Sequence, residues 1–524
     1  MTQRTLGYGA QGPSQELKKQ SVVPVAASSR SSRLRKNGLF RDAQRSWEAA
    51  RYADVISELE AERDGESRIL LAKTYLRLQD YRAAVACLND ANFETPRLKH
   101  IAEIISASAA ERLSGGAPFA PKLAPNVGGH ILALRDFFAA LSAWRRGDRD
   151  QAEEFATRAA AAGDTETRVF ATDLLGWVAI ANGRHDLASR HFVDVLDDFH
   201  SGDFRDEHLR LNAIQALAFV SAESLDIGKL RRLQKELASL SVTDFTSRAY
   251  LGALLSISIL YGLAGEDDEH YRTLLTARAV SVPKPFGALV DTRLATFHRH
   301  RGEMDSARMH VSFASEAIEG VAWADSDIEQ RLAAILFAAE AAAQQDRRAG
   351  AAFTRAVSFH GKQDLALGFE HDQRATAQAY FARARLNEMR DKIASSIEDY
   401  RHARSIWEKH GDRYRAALAS LELLRLEGGT RVSKSLRDTL RDVPKSWIGR
   451  EATRLTQTAA SPLAQLSPAE HRVLEKICEG STSRQIAEEL DRSTSTVRNQ
   501  TISIFRKFGV STRSALVAKV TAGL

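Results

Sequence analysis

Leu466-Ser-Pro-Ala-Glu-His-Arg-Val-Leu-Glu-Lys-Ile-Cys-Glu-Gly480, Ser481-Thr-Ser-Arg-Gln-Ile-Ala-Glu-Glu-Leu-Asp-Arg492 and Ser493-Thr-Ser-Thr-Val-Arg-Asn-Gln-Thr-Ile-Ser-Ile-Phe-Arg-Lys-Phe-Gly509 follow one another near the end of a 524-residue chain. Ser467 precedes Pro468 and stands three residues before Glu470, which is the arrangement of a capping box with proline in the first helical turn. Thr482 and Gln485 repeat it. Ser493 caps a third helix, Gly480 and Gly509 sit where helices stop, and Thr512 opens a fourth. The stretch reads as four short helices.

Their apolar positions define a core. Val473, Leu474 and Ile477 of the first helix face Ile486, Ala487 and Leu490 of the second, and Val497, Thr501, Ile504, Phe505 and Phe508 form the inner stripe of the third. Two helices joined through the short turn Asp491-Arg492-Ser493 make a helix-turn-helix, whose second member can enter a DNA major groove. On its outer face Ser495, Arg498, Asn499, Ile502 and Arg506 recur at three- and four-residue spacing. Arginine pairs with guanine and asparagine with adenine through paired hydrogen bonds, so Arg498 and Asn499 are the expected base readers. Arg484, Thr496, Arg506 and Lys507 are the expected phosphate contacts, and Thr482, Ser495 and Ile502 complete the expected DNA-binding set.

These residues resemble the LuxR-type (NarL/FixJ/LuxR) helix-turn-helix of bacterial transcription regulators. The match runs through Leu466, Ser467, Pro468, Glu470, Glu479-Gly480, Ile486-Ala487, Leu490, Ser493, Thr496 to Asn499 and Arg506 to Val510. The chain departs from the family pattern at Asp491-Arg492, Gln500 and Thr501. The resemblance implies double-stranded DNA as a partner and a homodimer on paired half-sites, with the apolar stripe of the fourth helix available for pairing. The plainer alternative is a helical bundle whose basic residues are incidental.

Upstream, residues 38–113 and 130–426 are helical in pattern, and between Pro125 and Pro444 the only prolines are Pro283 and Pro285, so the long middle has few obligatory breaks. Small residues recur around polar turns, as in Ala72, Tyr75, Ala84, Leu88 and Pro96. Gly147 and Gly183 are 36 residues apart and Gly265 and Gly302 are 37 apart. That is close to the roughly 34-residue period of tetratricopeptide repeats, which these units resemble. The expected fold is all-α: a tetratricopeptide-like helical repeat solenoid, then a four-helix LuxR-type domain at 464–524. Such a stack predicts an elongated superhelix in which each unit touches its neighbours, with a concave surface for a protein, peptide or small ligand. A glycine- and proline-rich loop at 114–129 is expected to separate the two helical segments. Residues 1–37 read as a disordered basic tail, and 427–463 as a polar linker around a possible helix at Trp447.

Composition narrows the function. A net charge of +6 over 524 residues permits nucleic acid without arguing for it. Two cysteines, Cys87 and Cys478, are too few for a disulfide framework, which makes a reducing cytoplasm the expected compartment. The apolar run from Ala249 to Gly265 is short for a membrane span and reads as a buried helix. No Gly-x-x-x-x-Gly-Lys-Ser/Thr stretch occurs and no Gly-x-Gly-x-x-Gly follows a strand, histidine pairs lack ligand-spaced partners, and no nucleophile stands with a base, so neither cofactor, metal nor enzyme is expected. The sequence predicts a cytoplasmic bacterial transcription regulator. The rival is an interaction scaffold whose terminal helices do not read DNA.

Overall fold

The computed structural model describes residues 29–114, 118–202, 204–282, 284–319, 328–357, 373–427, 433–460, 462–463 and 465–521. Most of the tail expected at 1–37 lies outside them, and helix Ser29–Glu48 begins inside that stretch. The chain divides into two compact units, 1–419 and 420–524.

The first unit is built of antiparallel helix pairs, among them Gly65–Arg77 with Tyr81–Asn89, Gly129–Arg145 with Arg149–Ala162 and Thr165–Ala181 with His185–Ser201. Ser247–Ala264 with Asp267–Arg278, Lys284–His300 with Met304–Glu319, Ile328–Ala343 with Arg348–Val357 and Gln373–Met389 with Ile393–Lys409 continue the series. Small residues let the paired helices approach. Ala140, Ala143, Ala152 and Ala156 are fully buried in one pair, and a Cβ on Gly176 would come within 2.5 Å of the Phe192 ring in the next. Among the described residues there is no strand, only one isolated bridge between Asp64 and Asn92.

One turn design closes nearly every pair. A residue with positive φ ends the first helix, the next N–H reaches back to the carbonyl five residues earlier, and an acid at that next position often caps the second helix. Gly147 (φ 79°) is followed by Asp148, whose N–H donates to the Ala143 carbonyl at 3.0 Å and whose carboxylate accepts from the Gln151 N–H at 3.1 Å. Gln79 (φ 60°) with Asp80, Leu225 (φ 65°) with Asp226, Gln345 (φ 60°) with Asp346 and Gly411 (φ 72°) with Asp412 repeat the device. The repeat is therefore more regular in backbone than its glycines indicate. The sequence signal was diluted because many of these left-handed positions carry other residues.

Neighbour-only stacking, expected for a simple solenoid, is not what the first unit shows. Glu223 Oε1 accepts from Arg415 Nη1 at 2.8 Å across 192 residues, the Ile180 carbonyl accepts from Arg374 across 194, and the Ser224 carbonyl from Arg413 across 189. At the same place a Cβ on Gly411 would meet the His185 ring at 2.6 Å. The loop at 114–129, expected as a divide between helical segments, is bridged by one core. Ile104 and Ile105 share a cluster with Phe137 and Phe138, and Phe119 of the loop stacks on Phe138 at 6.4 Å. Helix Ser247–Ala264 is the one described helix long and apolar enough to cross a membrane. In the fold 67% of it is buried, which is how a core helix behaves.

In the second unit the stretch expected as a polar linker contains helices Lys434–Asp442 and Trp447–Ala460. Ser433 and Ser446 cap them through the Leu436 and Gly449 N–H groups, and Leu436, Val443, Ile448 and Ala452 are buried. Four helices follow: Pro468–Cys478, Ser483–Glu489, Thr494–Phe508 and Arg513–Thr521. They close on their own core of Leu466, Val473, Leu474, Ile477, Ile486, Ala487, Val497, Ile504, Phe508 and Leu516.

Candidate nucleic-acid interface

The presentation of the third terminal helix begins with its caps. Ser467 accepts from the Glu470 N–H at 3.2 Å while the Glu470 carboxylate accepts from the Ser467 N–H at 2.7 Å, and Thr482 and Gln485 form the same reciprocal pair. Ser493 Oγ accepts from the Thr496 N–H at 3.1 Å and also lies 2.8 Å and 2.7 Å from the Ser495 and Thr496 hydroxyls. The hydroxyls of Ser493, Ser495 and Thr496 thus crowd the positive end of the helix, where an anion is favoured. Gly509 (φ 63°) ends it.

Asp491 takes the position where the turn needs a left-handed residue. It adopts φ 50°, and Arg492 N–H closes the turn on the Ala487 carbonyl at 2.9 Å. Asp and Asn reach this conformation at less cost than most side chains, so the turn forms without glycine. Thr501, on the inner stripe, donates its hydroxyl to the Val497 carbonyl at 2.8 Å, which satisfies its polar atom at a half-buried position.

The buried stripe of Val497, Ile504 and Phe508 turns the opposite face outward. Ser495, Thr496, Arg498, Asn499, Ile502 and Arg506 are all accessible there, and Ile502 is 60% exposed, an unusual place for a large aliphatic residue. The helix contains no Asp or Glu. Arg498, Asn499 and Arg506 make no side-chain hydrogen bond or ion pair among the described residues, so their donors are open to a partner. Thr482 and Arg484 lie toward solvent on the second helix, where Arg484 pairs loosely with Glu488 at 3.2 Å.

Lys507 differs from the other candidates. Its ammonium lies 2.6 Å from Glu470 Oε2 and only 24% of the side chain is exposed, so the lysine ties the third helix to the capping box of the first. Burial pushes the Glu470 carboxyl up, but hydrogen bonds from Lys507, the Ser467 N–H and the Ser503 hydroxyl outweigh it and hold the group at about 2. Three basic residues that were not among the expected DNA contacts also belong to the module. Arg513 donates to the Ile477 and Ser481 carbonyls, and Lys519 donates to the Phe508 carbonyl at 2.8 Å, each closing a helix C-terminus. Arg492 is exposed in the turn itself. Its placement between the two caps was the available signal.

Residues 464–520 match the family described as bacterial regulatory proteins, luxR family. The terminal module is a LuxR-family helix-turn-helix domain. It places the chain in DNA-binding transcription regulation. No curated protein matches the chain. Among solved structures, the chain is similar to one titled crystal structure of the APC/C hetero-tetramer Cut9-Hcn1, at 12% identity and a TM-score of 0.29, covering 94% of this chain and 98% of that one. It is also similar to one titled structure of Naa15/Naa10 bound to HypK-THB, at 14% identity and a TM-score of 0.20, covering 93% and 80%. Neither score reaches the level of a shared fold. The repeat character of the region upstream of the LuxR-type domain rests on its own helix pairs and turns.

Proposed function

We propose that the chain is a sequence-specific transcription regulator in which helix Thr494–Phe508 enters the major groove and the helical array receives a signal or a protein partner. The observation that carries this reading is the acid-free outer face of that helix, where Arg498 and Asn499 stand exposed and without partners near its capped end. Arg498 reads guanine and Asn499 adenine, and Ile502 packs on a thymine methyl group. Thr482, Arg484, Ser495, Thr496 and Arg506 hold phosphates on either side, with Arg492 added to them. Lys507 acts chiefly as a clamp. The protein binds as a pair on two half-sites, because one short helix reads only a few base pairs. It works in the cytoplasm and has no catalytic role.

The test is selection of a preferred duplex from a random pool by the full chain, followed by salt titration. Affinity for the selected duplex should fall steeply with ionic strength and exceed that for scrambled duplex by a factor on the order of 10³ or more. Equal affinity for both duplexes would instead support an interaction scaffold.

A further inference from the structure

Helices Lys284–His300 and Gln373–Met389 and the start of helix Arg413–Glu427 bring arginines to one place. Arg374 and Arg415 share Glu223 at 3.3 Å and 2.8 Å, and Arg415 also holds Asp412 at 2.6 Å. Arg299 grips Glu340 through two hydrogen bonds at 2.7 Å and 3.0 Å. Arg293 stands between these groups, with Tyr414, Arg415 and Glu340 as its electrostatic neighbours. The side chains of Arg299, Arg374 and Arg415 are each about a fifth exposed (19%, 19% and 20%), so they keep some contact with solvent although they lie among packed helices. The Phe219 ring lies 5.5 Å from the Arg374 guanidinium and 6.0 Å from that of Arg415, giving the place an aromatic wall.

Arg293 is out of balance in this setting. Among the described residues no carboxylate stands within ion-pair distance of it, its hydrogen-bonding neighbour is the neutral Tyr414 hydroxyl, and Arg415 beside it is a like charge. Burial, first, and then Arg415 weaken its hold on the proton. Glu340 is a more distant opposite charge, and an enclosed guanidinium without a direct ion pair is costly. Planar donor forks match the oxygens of phosphate and carboxylate.

We propose that Arg293, Arg299, Arg374 and Arg415 form a binding site for a small anion carrying two or more negative charges, a phosphorylated or polycarboxylate compound. The site gives a chemical class to the signal of the array, and in that respect rests on reading the array as a sensing module. Arg415 stands near the start of helix Arg413–Glu427, which continues in sequence past Ala419.

Calorimetric titration of the full chain with pyrophosphate and with citrate, against acetate at equal ionic strength, tests the site. One of the two multivalent probes is expected to bind saturably at one site per chain, at least tenfold more weakly in Arg293→Gln, less weakened in Arg293→Lys and unchanged in the surface control Arg441→Gln. Without ligand, Arg293→Gln should melt at or above the wild-type temperature, because it removes an uncompensated charge. No saturable binding by either probe, unchanged binding in Arg293→Gln, or a melting temperature well below wild type would overturn the site. Operator affinity, measured with and without the probe, separates the two readings. Binding that leaves operator affinity untouched keeps the site and removes its role as signal. Failure of binding, with operator affinity still dependent on the array, removes the site alone.

Discussion

Asp491 and Arg498 illustrate how single residues divide between shape and recognition. Asp491 holds a left-handed φ of 50° that glycine adopts freely, so Asp491→Gly is expected to stabilise the domain by about 0.5–1 kcal/mol. Denaturant unfolding followed in the terminal domain checks it, and a loss of stability would show that the aspartate contributes more than the turn geometry requires. Arg498→Ala and Asn499→Ala should each cost about 1–3 kcal/mol on the selected duplex while leaving thermal stability unchanged. If both variants keep wild-type affinity and base preference, the recognition face lies elsewhere. Arg506→Ala should reduce the salt slope by about one and weaken all duplexes alike, whereas Lys507→Ala should mainly lower stability by releasing Glu470. The caps and the outer face were legible in the sequence because each depends on residues within a turn of one another. The Lys507–Glu470 pair, 37 residues apart, was not, since spacing along a helix cannot say which charge across the core it will meet.

At the scale of elements, the first capping box carries a pH signature. Glu470 is held at about 2, below its ordinary value of 4.5, so its contribution is present in full above pH 4.5 and is lost as pH falls from there toward 2. Glu470→Gln should therefore destabilise the terminal domain by about 1–2 kcal/mol at pH 7, and the difference should vanish near pH 2. A difference independent of pH would mean that shape, not charge, is at work. The helix-pair turns offer a second comparison. Gly302 (φ 77°) has open space where a Cβ would stand, so Gly302→Ala should cost about 1 kcal/mol from backbone strain alone. Gly411 (φ 72°) faces His185 at 2.6 Å, so Gly411→Ala should cost roughly 1–3 kcal/mol more. Similar costs for both would show that the contact between these distant turns adds nothing. The glycine turns were legible from their spacing, whereas Gln79, Leu225, Gln345 and Asp391 hide the same conformation behind residues that do not announce it.

For the whole molecule, the proportion of array to reader suggests control of one by the other. If the array restrains the reader, a fragment starting near Ala460 should bind the selected duplex more tightly than the full chain. A hundredfold difference corresponds to about 2.7 kcal/mol of coupling. Both proteins must be folded and in the same oligomeric state, and equal affinities would place the array's role in recruiting a partner instead. Helical class and repeat character could be read from periodicity because each unit is local. The return of the chain to Glu223 could not, because periodicity tells which face is buried and not what buries it.

That return also has a consequence for biosynthesis. A chain of independent repeats can settle unit by unit as it leaves the ribosome. Glu223 must wait for Arg415, 192 residues later, which at about 5–20 residues per second is a delay of roughly 10–40 s. Until then the carboxylate has only His185 and, once it is made, Arg374 as partners among the described residues, and its seat is incomplete. The nascent array passes through an incompletely assembled state in which its middle is made but unlocked, and that interval is when a chaperone would have most to hold.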